Sequence, residues 1–313
     1  MSERPQRLIL GPQRPRVYIG DAMRRHGMDR GDIAVISAGW QEAEGDIDII
    51  RHEVGQPMED LHLYARSAEL FAADPDLHAA YRERQDRLTE QQRMYRLRLK
   101  QLKIAVRQTL RAEGPPAVVA PERRHAVSQL RALDRHHQRQ IDKAHARFDS
   151  EFNVDTSGAL AEHVSALHDT LANVGTVIVT GGNLIVLMNR VRLFGLGGAL
   201  AGKNIVGWSA GAMLLGERIV LFHDRMPQGR QDAEVIDEGL GLLGRFIVLP
   251  DAKHRLRTGN ELRMSALSRR FSPTTCLLVN NGSAALFDDV RLVLHEHVSY
   301  PTMNGRIRPV ATR

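Results

Sequence analysis

Cysteine occurs once in the 313 residues, at Cys276, so no disulfide can close within the chain. Aromatic side chains are scarce as well, at 5%, and no stacking platform accompanies the basic residues, which argues against a nucleic-acid-binding module. No apolar run reaches the roughly 18 residues a membrane span needs, and the opening stretch Met1-Ser2-Glu3-Arg4-Pro5 is polar and charged. Together these features predict a cytoplasmic protein without membrane contact. What remains is ordinary for a globular chain: 42% hydrophobic residues, and enough length for one substantial core with room for a second domain.

Charge is unevenly placed. The chain carries a net +6, yet residues 77–150 hold 17 lysines and arginines against 8 acidic residues, while the rest carries 26 against 29. That basic block has almost no strand signal. Tyr81, Leu88, Tyr95 and Leu102 recur every seven residues, and Ala126, Leu130, Leu133, His137, Ile141, Ala144 and Phe148 follow a four-three spacing, with a break at Glu113-Gly114-Pro115-Pro116. The pattern predicts a basic helical hairpin over 71–150, inserted between residues 1–70 and 151–313 of an α/β core. Its heptad-like faces suggest a self-contained unit that could be excised. A solvated coiled-coil face that forms a homodimer or covers an active site is the favoured reading, ahead of nucleic acid.

Outside the hairpin the chain alternates strands and helices. Residues 7–10 and 32–38 read as opening strands with a helix from Tyr18 to His26 between them, and further strands are expected near 176–180, 204–207, 218–222, 246–249, 276–279 and 284–294. Behind the strand Asn204-Ile205-Val206 lies Gly207-Trp208-Ser209-Ala210-Gly211, a Gly-x-Ser-x-Gly stretch. Small residues on both sides of the serine let the chain turn sharply from strand to helix, leaving the hydroxyl exposed at the sheet edge. Any tight strand-to-helix turn would use similar residues. Upstream, Thr176-Val177-Ile178-Val179 ends in Thr180-Gly181-Gly182-Asn183 ahead of an amphipathic helix, so two strands end at glycine-rich turns. The amides of Gly182 and Ala210 form the natural donor pair for an oxyanion, and Asn183 is placed to cap the helix and is a candidate substrate-binding residue.

Val179-Thr180-Gly181-Gly182-Asn183 and Val206-Gly207-Trp208-Ser209-Ala210-Gly211-Ala212 together resemble the serine peptidases that include peptidase E (aspartyl dipeptidase) and cyanophycinase. The resemblance continues through Glu238-Gly239-Leu240-Gly241-Leu242-Leu243, Pro250-Asp251-Ala252-Lys253-His254 and Asn280-Asn281-Gly282-Ser283-Ala284-Ala285-Leu286, covering most of 174–290. It implies a flavodoxin-like, class I glutamine amidotransferase-like parallel sheet; separately, no cofactor and no metal are expected. It also implies a hydrolase acting on a small acidic peptide or isopeptide, next to an aspartyl residue, through an acyl-enzyme. The compact relatives lack an insertion as long as the hairpin.

Carried over position by position, the resemblance makes Ser209 the nucleophile and His254 the general base, within hydrogen-bond reach of each other. Where the family places a glutamate to orient the base, this chain has Asn281, which can hold an imidazole but cannot stabilise an imidazolium by charge. Two acids could compensate: Asp224, matching an aspartate of the peptidase E active-site region, and Asp251, three residues before His254. The cyanophycinase pattern has several arginines after the histidine; here Arg263 keeps the last of those places, for binding a substrate carboxylate, while Thr258 and Asn260 stand at earlier ones.

Two rivals stay open. An α/β-hydrolase shares Gly-x-Ser-x-Gly, but its histidine normally comes later than 45 residues after the serine. A binding or scaffold protein could keep the fold, have relaxed its triad through Asn281 and act through the basic hairpin. Among other histidines, His295 and His297 alternate on a strand without a third metal ligand nearby, and His136-His137 reads as a solvated helix face.

Overall fold

The computed structural model describes residues 4–222 and 233–310. Its first segment holds strand β1 (Gln6–Leu10), helix α1 (Ile19–Arg25), β2 (Ile33–Ile36), a 3-10 turn (Ala38–Ala43), α2 (Asp48–Val54), β3 (Met58–Asp60) and α3 (Leu63–Ala73). Two long helices follow, α4 (Pro75–Arg111) and α5 (Pro116–Glu151), then α6 (Gly158–Asn173). The chain re-enters the sheet at β4 (Thr176–Val179), followed by α7 (Leu184–Leu193), α8 (Gly197–Ala201), β5 (Asn204–Trp208) and α9 (Ala210–Leu215). Next come β6 (Arg218–Leu221), β7 (Glu234–Glu238), β8 (Phe246–Pro250), α10 (Ala252–Arg255), α11 (Glu261–Phe271) and β9 (Thr275–Val279). Strands β10 (Ala284–Asp288), β11 (Arg291–Glu296), β12 (Ser299–Pro301) and β13 (Ile307–Pro309) end the described chain.

The main sheet has seven strands in the order β11-β10-β1-β5-β4-β2-β3. From β1 to β3 the neighbours are parallel, while β10 and β11 run antiparallel along one side. Short, wholly apolar strands such as Val177-Ile178-Val179 suit this arrangement, because helices bury both faces of a parallel sheet. Alternate residues enter different cores. Ile9, Val177 and Ile205 pack on the side of α7 and the long helices, whereas Leu8, Ile178 and Val206 pack with α1 and α2. The protein is therefore α/β with a parallel-rich sheet.

Beyond that sheet, β8 and β9 pair in parallel and continue into β12 and β13, while β6 and β7 form a separate antiparallel ribbon. The single strand expected over 284–294 is a hairpin instead, turning at Asp289, whose φ is 52°. Where β9 of the smaller sheet passes to β10 of the main one, Ser283 Oγ accepts from the Asn280 amide, and Gly11 N, donating to Ser283 O at 3.0 Å, extends the β1–β10 pairing beside it.

Helices α4 and α5 are the long hairpin, and Ser157 Oγ donates to Asp74 Oδ2 at 2.6 Å, clasping its base where the chain leaves and returns. All seven α5 positions of the four-three pattern are buried, as are Tyr81 and Tyr95 of α4. The hairpin is not self-contained, however. Arg270 of α11, fully enclosed, donates to both oxygens of Asp134 at 2.7 Å and to Tyr95 Oη at 2.6 Å. Asp237 of β7 meets His145 at 2.8 Å and Arg192 at 3.3 Å, and Glu234 accepts from Gln92 and Arg96. His137, expected on a solvated face, is buried, stacks on Tyr95 with ring centres 4.0 Å apart and meets Gln92 Oε1 at 2.8 Å. Heptad spacing locates the apolar stripe, but it does not reveal that the polar residues beside it face protein.

Candidate active site

The carboxyl ends of β1, β4 and β5 converge with the end of β8 around an open cleft of about 420 Å³ lined by Pro12, Gly182, Ser209, Ala210, Asp251 and Arg255, among others. Ser209 follows β5 directly and sits at φ 49°, ψ −115°, a region that non-glycine residues rarely occupy. The neighbours leave little choice of residue. A Cβ on Gly211 would lie 2.2 Å from Val179 O, and one on Gly181 would lie 3.1 Å from the Ser209 Cβ. The Gly-x-Ser-x-Gly stretch thus forms a strained elbow that exposes its hydroxyl at a helix start.

Gly182 occupies φ 109°, with Gly39 O only 2.3 Å from where a Cβ would stand, so glycine is required there. Gly182 and Ala210 both line the cleft, and neither amide has a hydrogen-bond partner among the described residues. Asn183 caps α7, its Oδ1 accepting from Ile185 N at 3.1 Å and Val186 N at 3.2 Å.

His254 lies in the one-turn helix α10. Its Nδ1 meets Asp251 Oδ1 at 2.6 Å, and the Asp251 amide is anchored on Val279 O at 2.7 Å. Asp251 adopts a left-handed conformation, φ 57°, which turns the chain off β8 into that helix. Asn281 does not take the contact expected of it. Its amide donates to Pro12 O at 2.7 Å and Arg16 O at 3.3 Å, bracing the loop after β1, while its neighbour Asn280 accepts from Lys253 N. Alignment by motif could not separate these roles, because the carboxylate that meets His254 comes from the same helical turn and not from the next strand. The imidazole is 76% exposed, and it shares no hydrogen bond with Ser209 among the described residues, contrary to the reach expected from the motifs. Its flanking residues Asp251 and Arg255 border the serine's cleft.

Asp224 lies outside the described residues. Arg263 is not on the Ser209 cleft; with Lys103 and Arg107 of the hairpin it lines a separate cavity of about 40 Å³. Among the described arginines, Arg255 borders the cleft, its guanidinium 4.8 Å from the Phe222 ring centre and its pKa lowered by burial against the opposing pull of Asp251. Sequence reasoning missed it because no spacing rule separates Arg255 from Arg257 or Arg263. His295 sits on β11, and no group of three His, Cys, Asp or Glu among the described residues could hold a metal ion. No described helix is long and apolar enough to cross a membrane.

A family model for peptidase family S51 matches residues 132–294. No curated protein matches. Among solved structures, the crystal structure of a peptidase from an acI-B1 Actinobacterium aligns with 98% of this chain and 94% of that one, at 10% identity and a TM-score of 0.45.

Proposed function

The chain belongs to peptidase family S51, which supports a serine peptidase-type hydrolase, and from that premise we propose that Ser209 attacks the carbonyl of a small acidic peptide or isopeptide to form an acyl-enzyme. The observation that carries this reading is the strained Ser209 backbone beside two amides, in one cleft, that have no hydrogen-bond partner among the described residues. Strain of this kind, about 1–3 kcal/mol, persists only where surrounding structure enforces it, and it clusters at reacting residues.

In the proposed reaction His254 takes the serine proton through Nε2 and returns it to the leaving amine. Asp251 holds Nδ1, fixing the tautomer and stabilising the imidazolium as it forms. The Nε2–Ser209 hydrogen bond forms in the substrate complex, in keeping with the long or poorly aligned catalytic hydrogen bonds of unliganded enzymes. Gly182 N and Ala210 N then receive the developing oxyanion. Arg255 supplies positive charge to an acidic substrate at the same cleft.

Fluorophosphonate labelling of the full-length protein tests the nucleophile. We expect one phosphonylated residue, Ser209, and none in Ser209→Ala, whose thermal midpoint should stay within about 2 °C because the side chain contributes little packing. A Ser209→Ala protein that is labelled as fast as the native one would sink the mechanism and leave a binding role for the fold.

A further inference from the structure

We infer that Gln41, a residue outside every motif above, forms with Asn183 a donor-only corner beside the cleft that recognises a carboxylate of the substrate; this rests on the hydrolase reading and deepens it. The chain of hydrogen bonds sets the orientation of both amides. Asn183 Oδ1 must face α7, since only an oxygen can accept from the Ile185 and Val186 amides. Its Nδ2 therefore points away and donates to Gln41 Oε1, at a long 3.4 Å. With that oxygen used, Gln41 presents only its NH2 group, which has no partner among the described residues. Gln41 Nε2 and the second Nδ2 hydrogen of Asn183 thus offer donors and no acceptor, a match for a carboxylate and a mismatch for a primary amide's NH2.

The surroundings hold this corner in place. Gln41 sits at φ 58°, ψ −119°, nearly the backbone conformation of Ser209, and its loop is packed against the oxyanion turn, with Asn183 N donating to Gly39 O at 2.6 Å. Buried Ser37 braces the same loop from below, bonded to Asp60 and to the Gly45 amide. Two of the loop's carboxylates are engaged with α3: Glu42 accepts from Tyr64 Oη, and Glu44 from the Tyr64 and Ala65 amides. Next to Asn183, Gly182 lines the cleft, and Arg255 adds a cation to the same cleft.

A calorimetric titration of the Ser209→Ala protein separates recognition from turnover. The probes are the dipeptide Asp-Leu, its neutral-side-chain counterpart Asn-Leu, and Asp-Leu with an amidated C-terminus. We expect Asp-Leu to bind at least tenfold more tightly than one of the two neutralised forms; weaker Asn-Leu identifies the side-chain carboxylate as the group read, and weaker amide identifies the terminal one. Adding Gln41→Glu places a carboxylate against the corner and should cut Asp-Leu affinity by roughly 10 to 100-fold while changing the neutralised form little. Gln41→Gly removes the side chain and relieves the backbone, so affinity should fall while the thermal midpoint holds or rises. The proposal is overturned if Asp-Leu does not bind, if the three probes bind alike, or if Gln41→Glu leaves their ratio unchanged. Gln41-dependent binding in a protein whose native form hydrolyses nothing would sink the hydrolase reading and keep the recognition corner.

Discussion

At the residue scale, the question is which side chain orients His254. Asp251 occupies Nδ1 at 2.6 Å, whereas Asn281 is committed to the Pro12 and Arg16 carbonyls. We expect Asp251→Asn to lower kcat by about 10⁴ with little change in KM, as when the acid of a serine triad becomes its amide. Asn281→Glu should give no gain and should instead weaken the protein, because a carboxylate cannot donate to two carbonyl oxygens. Steady-state kinetics on the two variants decide between the wirings: a large rise in kcat for Asn281→Glu would restore the motif-based assignment.

At the scale of elements, the polar seam between the hairpin and the core governs stability. Asp134 is held by a bidentate contact from Arg270 with both side chains enclosed, and removing one partner leaves a charge buried without compensation. Arg270→Met should therefore cost about 3–5 kcal/mol in urea unfolding, and a second change, Asp134→Leu, should recover part of that loss. The same seam contains His137, whose pKa burial lowers to about 4, with Asp134 pulling the other way. A histidine depressed on folding binds its proton more readily in the unfolded chain. Its stabilising contribution is complete above the unfolded value near 6.5 and is lost as pH falls through the folded value. Stability should thus decline between about pH 6.5 and 4 by up to roughly 3 kcal/mol from this group, and His137→Gln should flatten the decline. An equally steep profile in that variant would place the sensitivity elsewhere.

At the scale of the whole molecule, the hairpin and the sheet share one buried cluster running from Ile9 and Val177 to Tyr95, Leu130 and Leu133. Replacing residues 76–150 by a short linker would expose that cluster and strip Arg270, Glu234 and Asp237 of their hairpin partners. We expect the shortened chain to lose cooperative thermal unfolding and to bind hydrophobic dyes. A sharp unfolding transition close to the native midpoint would show that the core stands alone.

Much of this was legible in residue order, for local reasons. Glycines at positions where a Cβ would collide with backbone, a serine between small residues after an apolar strand, and an asparagine two residues before the amide it caps are constraints between near neighbours, so they mark the elbow, the oxyanion turn and the cap of α7. The heptad and four-three spacings likewise determined that two long helices pair. Only the tertiary structure decided what those pieces touch. Asp251 rather than Asn281 meets His254 because β8 ends in a left-handed turn anchored on β9, a geometry with no signature in spacing. Arg255 rather than Arg263 borders the serine's cleft, and Gln41 reaches Asn183 across 142 positions of sequence. Such contacts depend on how separate elements dock, and docking is set by packing of the whole core, which no local pattern encodes.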